Sequence, residues 1–275
     1  MKFKTIAIVG LGLMGGSLAA ACRKKFPKSR LIGISRDVRA LRFAKKKKWV
    51  HEAAKDLRSL ASANLIILCT PVDTLKSMLV KIDKFAARGT LVTDVGSVKG
   101  EVARWARGRR FRNIQFVGSH PMTGSHERGI SAARPDLYQN SFTFVTPGAK
   151  FVTGAVRNFW RKLGSRVVVL SAEEHDKITA EISHLPHLAA VCLALTPQTK
   201  SFQHAGPGFS DATRIAQGHP SIWVPIFRSN RRSVLDALKG FQKNLRHFQK
   251  ALQKGGRDLD KILTSAVKRR RKIAL

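Results

Sequence analysis

TIAIVGLGLMGG, residues 5–16, runs a short β-branched apolar stretch straight into glycines at positions 10, 12 and 15. The stretch ahead of the glycines has the character of a buried strand, and the stretch behind them, GGSLAAACRKK (15–25), has helical spacing. In that setting the G-x-G-x-x-G spacing has a physical purpose. Glycines let the backbone turn tightly and approach a pyrophosphate, which then rests on the N-terminus of the helix. Gly10, Gly12 and Gly15, with Leu13 and Met14 among them, are therefore the first candidate cofactor contacts. Lys2 and Lys4 before an apolar run give the opening a passing likeness to a signal peptide. The run is short and leads directly into the glycines, so a strand is the better reading and the protein is expected in the cytoplasm.

The same rhythm continues to about residue 170. Strands are expected at 5–10, 30–35, 64–70, 90–95, 114–119, 142–146 and 166–170, most of them apolar throughout, as in strands covered on both faces. Helical stretches such as VRALRFAKKKK (38–48) and VDTLKSMLVKIDKFAAR (72–88) lie between them. The pattern predicts an α/β fold, a Rossmann-type doubly wound parallel sheet. After Leu170 the pattern changes. SAEEHDKITAEISHLPHLAAVCLAL (171–195) opens on a serine N-cap with acidic residues in its first turn and continues as a long apolar helix, with Pro186 expected to kink it or sit at a local break. From there the chain reads as helix, with loops at HAGPGFSD (204–211) and AQGHPS (216–221). Two domains follow, 1–170 binding a dinucleotide and 171–275 all-helical.

Where the second strand ends, a site for NAD places an acid against the ribose hydroxyl. Here Ser35 and Arg36 stand there, with Asp37 one step late. A hydroxyl and a guanidinium suit a 2′-phosphate, which favours NADP, with NAD as the alternative. Thr70 and Pro71, closing the 64–70 strand, complete the cofactor set. TDVGSVKG (93–100) and GSHPMTG (118–124) also fall at the sheet edge where ligands of open α/β sheets bind. Ser97 and His120 are thereby placed to meet beside a nicotinamide. His184 and His187, three apart on a helix, share a face as metal ligands do, but no acidic residues complete a site and no metal is expected. Arg214 lies among apolar residues and needs an anionic partner, either Asp211 or a bound carboxylate.

Cys22, Cys69 and Cys192 are too few and too scattered for a disulfide framework or a zinc site. No apolar run approaches the 18 or more residues of a membrane span. The charge is unusual: 51 Lys and Arg against 17 Asp and Glu, a formal +34, clustered at 45–48, 107–112, 230–232 and 268–272. The excess is spread along the chain, which predicts a solvated basic surface with non-specific polyanion binding and no specific nucleic-acid recognition. The charge leaves, as an alternative function, a polyanion-binding protein built on a dehydrogenase fold; against it, no aromatic ladder interleaves the basic runs.

GLGLMGGSLA, TDVGSVKG, GSHPMTGS, EEHDKITAEISHLPH and AGPGFSDATRIA…SIW together resemble, in that order, the motifs of the prephenate and arogenate dehydrogenases of tyrosine biosynthesis. The resemblance spans nearly the whole chain. It implies a Rossmann domain followed by a helical domain that pairs two subunits into a homodimer. It further implies NAD(P)-dependent oxidative decarboxylation of prephenate to 4-hydroxyphenylpyruvate, or of arogenate to tyrosine. By the same resemblance His120 is the catalytic histidine, Ser97 bonds near it, His187 and Arg214 hold the substrate's carboxylates, and Trp223 stands at the pocket. Ser119, Thr123 and Ser125 lie alongside and are expected to line the substrate site. Many members carry Glu after this motif where the chain has His126, which leaves the choice of ring substrate open. Lys177 lies a turn or more too early to match the lysine of β-hydroxyacid dehydrogenases, the other family with this domain order.

Overall fold

A computed structural model describes residues 3–125 and 127–273. Along the chain run β1 (Thr5–Val9), α1 (Leu13–Lys25), β2 (Arg30–Ile34), α2 (Val38–Lys46), β3 (Glu52–Ala54), β4 (Leu65–Leu68) and α3 (Leu75–Phe85). Next come β5 (Thr90–Asp94), α4 (Gly100–Arg107), β6 (Ile114–Phe116), β7 (Ser119–Pro121), β8 (Phe142–Val145), α5 (Lys150–Lys162) and β9 (Arg166–Val169). The helices α6 (Ala172–Thr179), α7 (Leu185–Leu195), α8 (Pro207–Thr213), α9 (Pro220–Ser229), α10 (Arg231–Lys254) and α11 (Arg257–Arg271) complete it.

Six strands form one parallel sheet in the order β3-β2-β1-β4-β5-β6. In the central strands β1 and β4 alternate residues enter two separate cores, which is why those strands read as apolar throughout. Ile6, Ile8, Leu65 and Ile67 pack under α1, α2 and α5 with Leu18, Leu41 and Phe159. Ala7, Val9, Ile66 and Leu68 pack on the other face under α3 and α4 with Leu75, Leu79 and Val102. The order reverses between β1 and β4, so the glycine turn after β1 and Thr70–Pro71 after β4 flank the crevice where an open α/β sheet binds its ligand.

Three local differences from the sequence expectation have physical reasons. The 114–119 strand is two strands, β6 in the large sheet and β7 in a second sheet of order β7-β8-β9, antiparallel to β8. The chain crosses between sheets at Gly118, where a Cβ would lie 3.1 Å from Thr146 Oγ1 and 3.2 Å from the Lys99 side chain. Strand β3, Glu-Ala-Ala, extends the sheet edge without any β-branched residue to announce it. Residues 207–211, expected as loop, begin α8 with Pro207 in its first turn.

Ser171 caps α6 in a full capping box with Glu174. The helical run then widens into a π turn over Ala180–His184, closed by the Leu185 amide on the Ala180 carbonyl, and Pro186 sits in the first turn of α7. The widening falls where proline lacks an amide hydrogen, and it is a local break of the helix next to Pro186. The run Ala172–Leu195 has 24 residues and holds an 18-residue window of mean hydropathy 1.4, long and apolar enough to cross a membrane by those measures. Its polar residues His175, Asp176, Thr179, His184 and His187 are buried at helical spacing, while Ile178, Ile182, Leu193 and Leu195 are exposed.

By packing, the chain divides into a unit Met1–Asn230 and a unit Arg231–Leu275. The second unit is a helical hairpin, α10 and α11 joined by Gly255 and Gly256, both at positive φ. Asp258 and Asp260 begin α11 and Lys268–Arg271 end it, as the helix dipole favours. Leu235, Leu245, Leu252, Leu263 and Val267 leave this unit with exposed apolar side chains.

Candidate active site

The glycine turn meets the requirements of a dinucleotide cradle. Gly10 has φ +96°, and a Cβ at Gly15 would lie 1.8 Å from the Gly10 carbonyl oxygen, so neither position admits a side chain. At Gly12 a Cβ would meet nothing within 4 Å, so the space above the turn is open. Gly12 caps α1 without a side-chain hydrogen bond, and no acid stands in the first turn, which leaves the helix N-terminus available to an anion. Leu13 and Met14 are half-buried in that first turn. Tyr138 donates a 2.7 Å hydrogen bond to the Met14 carbonyl and braces the turn from below.

At the end of β2, Asp37 turns its carboxylate back on its own helix, accepting from the Arg39 amide at 2.8 Å to cap α2. Ser35 Oγ accepts from the Asp37 amide at 3.1 Å, while Arg36 is exposed. Thr70 is half-buried, its hydroxyl accepting from Thr74 Oγ1 at 2.9 Å, beside exposed Pro71.

His120 lies within β7, buried, one residue deeper in a sheet than the loop position expected of it. Its Nδ1 is 2.9 Å from His175 Nε2, and His175 Nδ1 is 2.8 Å from Asp176 Oδ1. Asp176 in turn accepts from the Lys99 and Gly100 amides at the start of α4, each at 2.8 Å. Lys99 forms a fully buried ion pair with Asp94 at the end of β5. Asp94 also accepts from the Gly96 amide at 2.9 Å and the Ser119 amide at 3.0 Å. The strand end, the loop carrying Ser97, β7 and α6 are thus tied into one network. Burial, and then the nearby His175, Lys99 and His184, hold the His120 imidazole well below its usual value, so it is neutral at pH 7.

Ser97 is half-buried in the β5–α4 loop and makes no side-chain hydrogen bond among the described residues. Ser119 is placed differently from the expectation that it lines a pocket. It is fully buried, donates to the Asp94 carbonyl at 2.6 Å, lies 2.8 Å from Thr93 Oγ1 and accepts from the Trp160 indole at 2.9 Å. Its hydroxyl is spent on holding β7 to β5. Thr123 likewise donates to the Leu137 carbonyl at 3.0 Å, and exposed Ser125 accepts from the Glu127 amide at 3.1 Å. His126 lies outside the described residues.

Further along, His187 is buried and stacks flat on Trp223, ring centroids 3.5 Å apart at 9°. A Cβ at Gly218 would meet the Trp223 Nε1 at 2.2 Å, so the stack depends on that glycine. His187 Nδ1 and His184 Nε2 are buried without a hydrogen-bond partner among the described residues, while His184 Nδ1 faces the Asn230 amide at 3.2 Å. Burial lowers both imidazoles, His184 to about 4. Asp211 and Arg214 are exposed and form no ion pair with each other among the described residues; the Arg214 guanidinium reaches solvent, so it does not need the anionic partner expected of it. The residues that sequence reasoning passed over are Asp94, Lys99, His175 and Asp176. A lysine inside an otherwise apolar and glycine-rich turn, and an adjacent His–Asp pair on the next helix, were the available signals.

A doubly wound sheet with an uncapped glycine turn at its switch point, and a buried neutral histidine on the neighbouring sheet, defines a nucleotide-dependent dehydrogenase. The chain belongs to the prephenate dehydrogenase family: residues 18–169 match its nucleotide-binding domain and residues 171–265 its dimerization domain. It is 38% identical over 248 residues to the prephenate dehydrogenase of Bacillus subtilis (strain 168), an alignment covering 84% of this chain and 66% of that one. Among solved structures it is similar to prephenate dehydrogenase from A. aeolicus in complex with hydroxyphenyl propionate and NAD+, with TM-score 0.92, 28% identity and coverage of 100% and 99%. It is similar also to Synechocystis arogenate dehydrogenase, with TM-score 0.83, 28% identity and coverage of 98% and 99%.

Proposed function

We propose that the protein is a prephenate dehydrogenase, catalysing NADP-dependent oxidative decarboxylation of prephenate to 4-hydroxyphenylpyruvate. The observation that carries this reading is His120, buried, neutral and held through His175 beside the ligand-binding edge of the sheet. A bound nicotinamide dinucleotide supplies the hydride acceptor. Gly10, Gly12, Gly15, Leu13 and Met14 would hold its pyrophosphate on α1, with Thr70 and Pro71 across the crevice. His120 takes the proton of the ring hydroxyl as hydride leaves the same carbon, the work of a general base. The electron pair of the ring carboxylate's carbon–carbon bond then flows into the ring, CO2 departs, and the oxygen recovers a proton as a phenol. A carboxylate in place of His120 would repel a dianion, whereas a neutral imidazole does not.

Arg214, exposed and unpaired with Asp211, and His187, with its buried Nδ1 unpartnered, are the groups we assign to the substrate's carboxylates. Trp223 backs His187, and Ser97 orients the hydroxyl end. Prephenate is favoured over arogenate because the ammonium of arogenate asks for a carboxylate. By the family resemblance His126 stands at the position where such an acid is expected, and the chain has an imidazole there. The assay that separates the two is formation of reduced cofactor with prephenate and with arogenate, each supplied with NADP and with NAD. Faster turnover of arogenate would overturn the substrate assignment.

NADP is favoured because Asp37 is committed to capping α2 while Arg36 is exposed at the end of β2. Replacing Arg36 with Ala is expected to cost about 1.5–3 kcal/mol in kcat/KM with NADP, the worth of a hydrogen bond to a charged group. Turnover with NAD should stay nearly unchanged. Equal loss with both cofactors would contradict the assignment.

The functional domains we assign are 1–170 and 171–275, the second pairing two subunits into a homodimer through its exposed apolar side chains. The enzyme is assigned to the cytoplasm. Its basic surface is read as a solvated face that binds polyanions only non-specifically.

A further inference from the structure

We infer that His175 and Asp176 fix His120 in the tautomer that carries hydrogen on Nδ1, leaving Nε2 bare as the atom that accepts the substrate's proton. Asp176 is the fixed point of the chain of hydrogen bonds. Its Oδ2 accepts from the Gly100 amide at 2.8 Å and its Oδ1 from the Lys99 amide at 2.8 Å. A carboxylate holding two backbone donors is an acceptor only, so the hydrogen in its 2.8 Å contact with His175 must sit on His175 Nδ1. A neutral imidazole has one N–H, which makes His175 Nε2 an acceptor. The 2.9 Å contact across to β7 is then donated by His120 Nδ1, and the lone pair of His120 falls on Nε2. No protein group bonds to that nitrogen among the described residues.

The surroundings favour this arrangement. His120 is faced by His175 and Asp176 from α6, by Lys99 with its partner Asp94 from the β5–α4 segment, and by His184 from the π turn. The Phe144 ring meets His175 edge-on at 5.4 Å and fills the remaining side. His175 has no accessible surface, so water cannot supply a competing hydrogen bond. The Asn230 amide donates to the Asp176 backbone carbonyl at 2.7 Å, which anchors the residue from a third element. His175 and Asp176 do not touch the reacting atoms; they are positioning residues, and their work is to decide which nitrogen of His120 is basic.

The inference rests on the proposed role of His120, and the experiment separates the two. Two-bond nitrogen–proton correlation spectra of histidine-labelled protein read the tautomer of each ring directly. Wild type is expected to show His120 protonated at Nδ1 near neutral pH; a ring protonated at Nε2 would overturn the inference without any variant. His175→Gln places an amide oxygen where Nε2 stood, and should keep that tautomer with kcat within roughly 10-fold of wild type. His175→Leu removes the acceptor and should give mixed tautomers. Its kcat should fall by at least about 10-fold and at most about 10⁴-fold, the full worth of a general base, with KM nearly unchanged. Should His175→Leu fail to fold, the wild-type and His175→Gln spectra still decide the matter. Retention of the Nδ1 tautomer and of kcat in His175→Leu would overturn the inference. A wild type that turns over neither substrate yet shows the Nδ1 tautomer supports the inference and overturns the functional reading alone.

Discussion

His120→Asn is expected to lower kcat by about 10²–10⁴-fold, the usual contribution of a positioned general base, with little change in KM for substrate or cofactor. Asparagine keeps a polar side chain of similar reach but cannot take up a proton. The surrounding geometry predicts the pH profile too. A base must be neutral to act, and burial together with His175, Lys99 and His184 pushes the His120 imidazole well below its usual value. The acidic limb of the kcat profile should therefore lie below the ordinary imidazole range, so that turnover persists as pH falls through the mid-sixes. An acidic limb at or above the ordinary value would mean that another group is titrating. A His120→Asn variant with wild-type kcat would remove this residue from the chemistry altogether.

Lys99→Met is expected to be the most damaging substitution for stability. Lys99 and Asp94 are both fully buried, and the pair stands at the junction of β5, α4 and β7. Removing only the cation strands a carboxylate away from water, which costs about 3–5 kcal/mol where a buried pair is broken. The amides of Gly96 and Ser119 still donate to Asp94, which places the expected loss toward the lower end of that range. Urea denaturation followed by circular dichroism reads it as a fall in midpoint at unchanged slope. The double variant Lys99→Met with Asp94→Asn should recover part of the loss, because an amide leaves no charge to bury. A single variant as stable as wild type would show that the pair contributes nothing to holding the site together.

The glycine turn, the apolar strands and the capped start of α6 were legible because each is a local signal whose physical cause lies within a few residues. Gly10, Gly12 and Gly15 announce a turn that admits no side chain at its ends, and Ser171 with Glu174 announces a helix start. Strand β3 escaped notice because Glu-Ala-Ala carries neither alternation nor β-branching and is a strand only by pairing with β2. The division of 114–119 into β6 and β7 escaped it because the crossing at Gly118 answers to Thr146 and Lys99, which no sequence period encodes. The site follows the same rule. Ser97 and His120 stood out as motif residues at strand ends. The partner of His120 lies 55 residues away, and the link from Lys99 to Asp176 spans 77. Ser119 looked like a pocket residue by adjacency to His120, yet alternation along β7 turns its hydroxyl into the core.

The charge of +34 takes no part in this account of the chemistry; no step at His120 or at the glycine turn requires it. What the account does require is that loss of hydride and loss of the ring carboxylate belong to one reaction. The most direct measurement is the stoichiometry of reduced nicotinamide and CO2 released from prephenate by wild-type protein with NADP. Equal amounts of the two, appearing together with 4-hydroxyphenylpyruvate, are the predicted result. Reduced cofactor without CO2, or no reduced cofactor from either prephenate or arogenate, would contradict it.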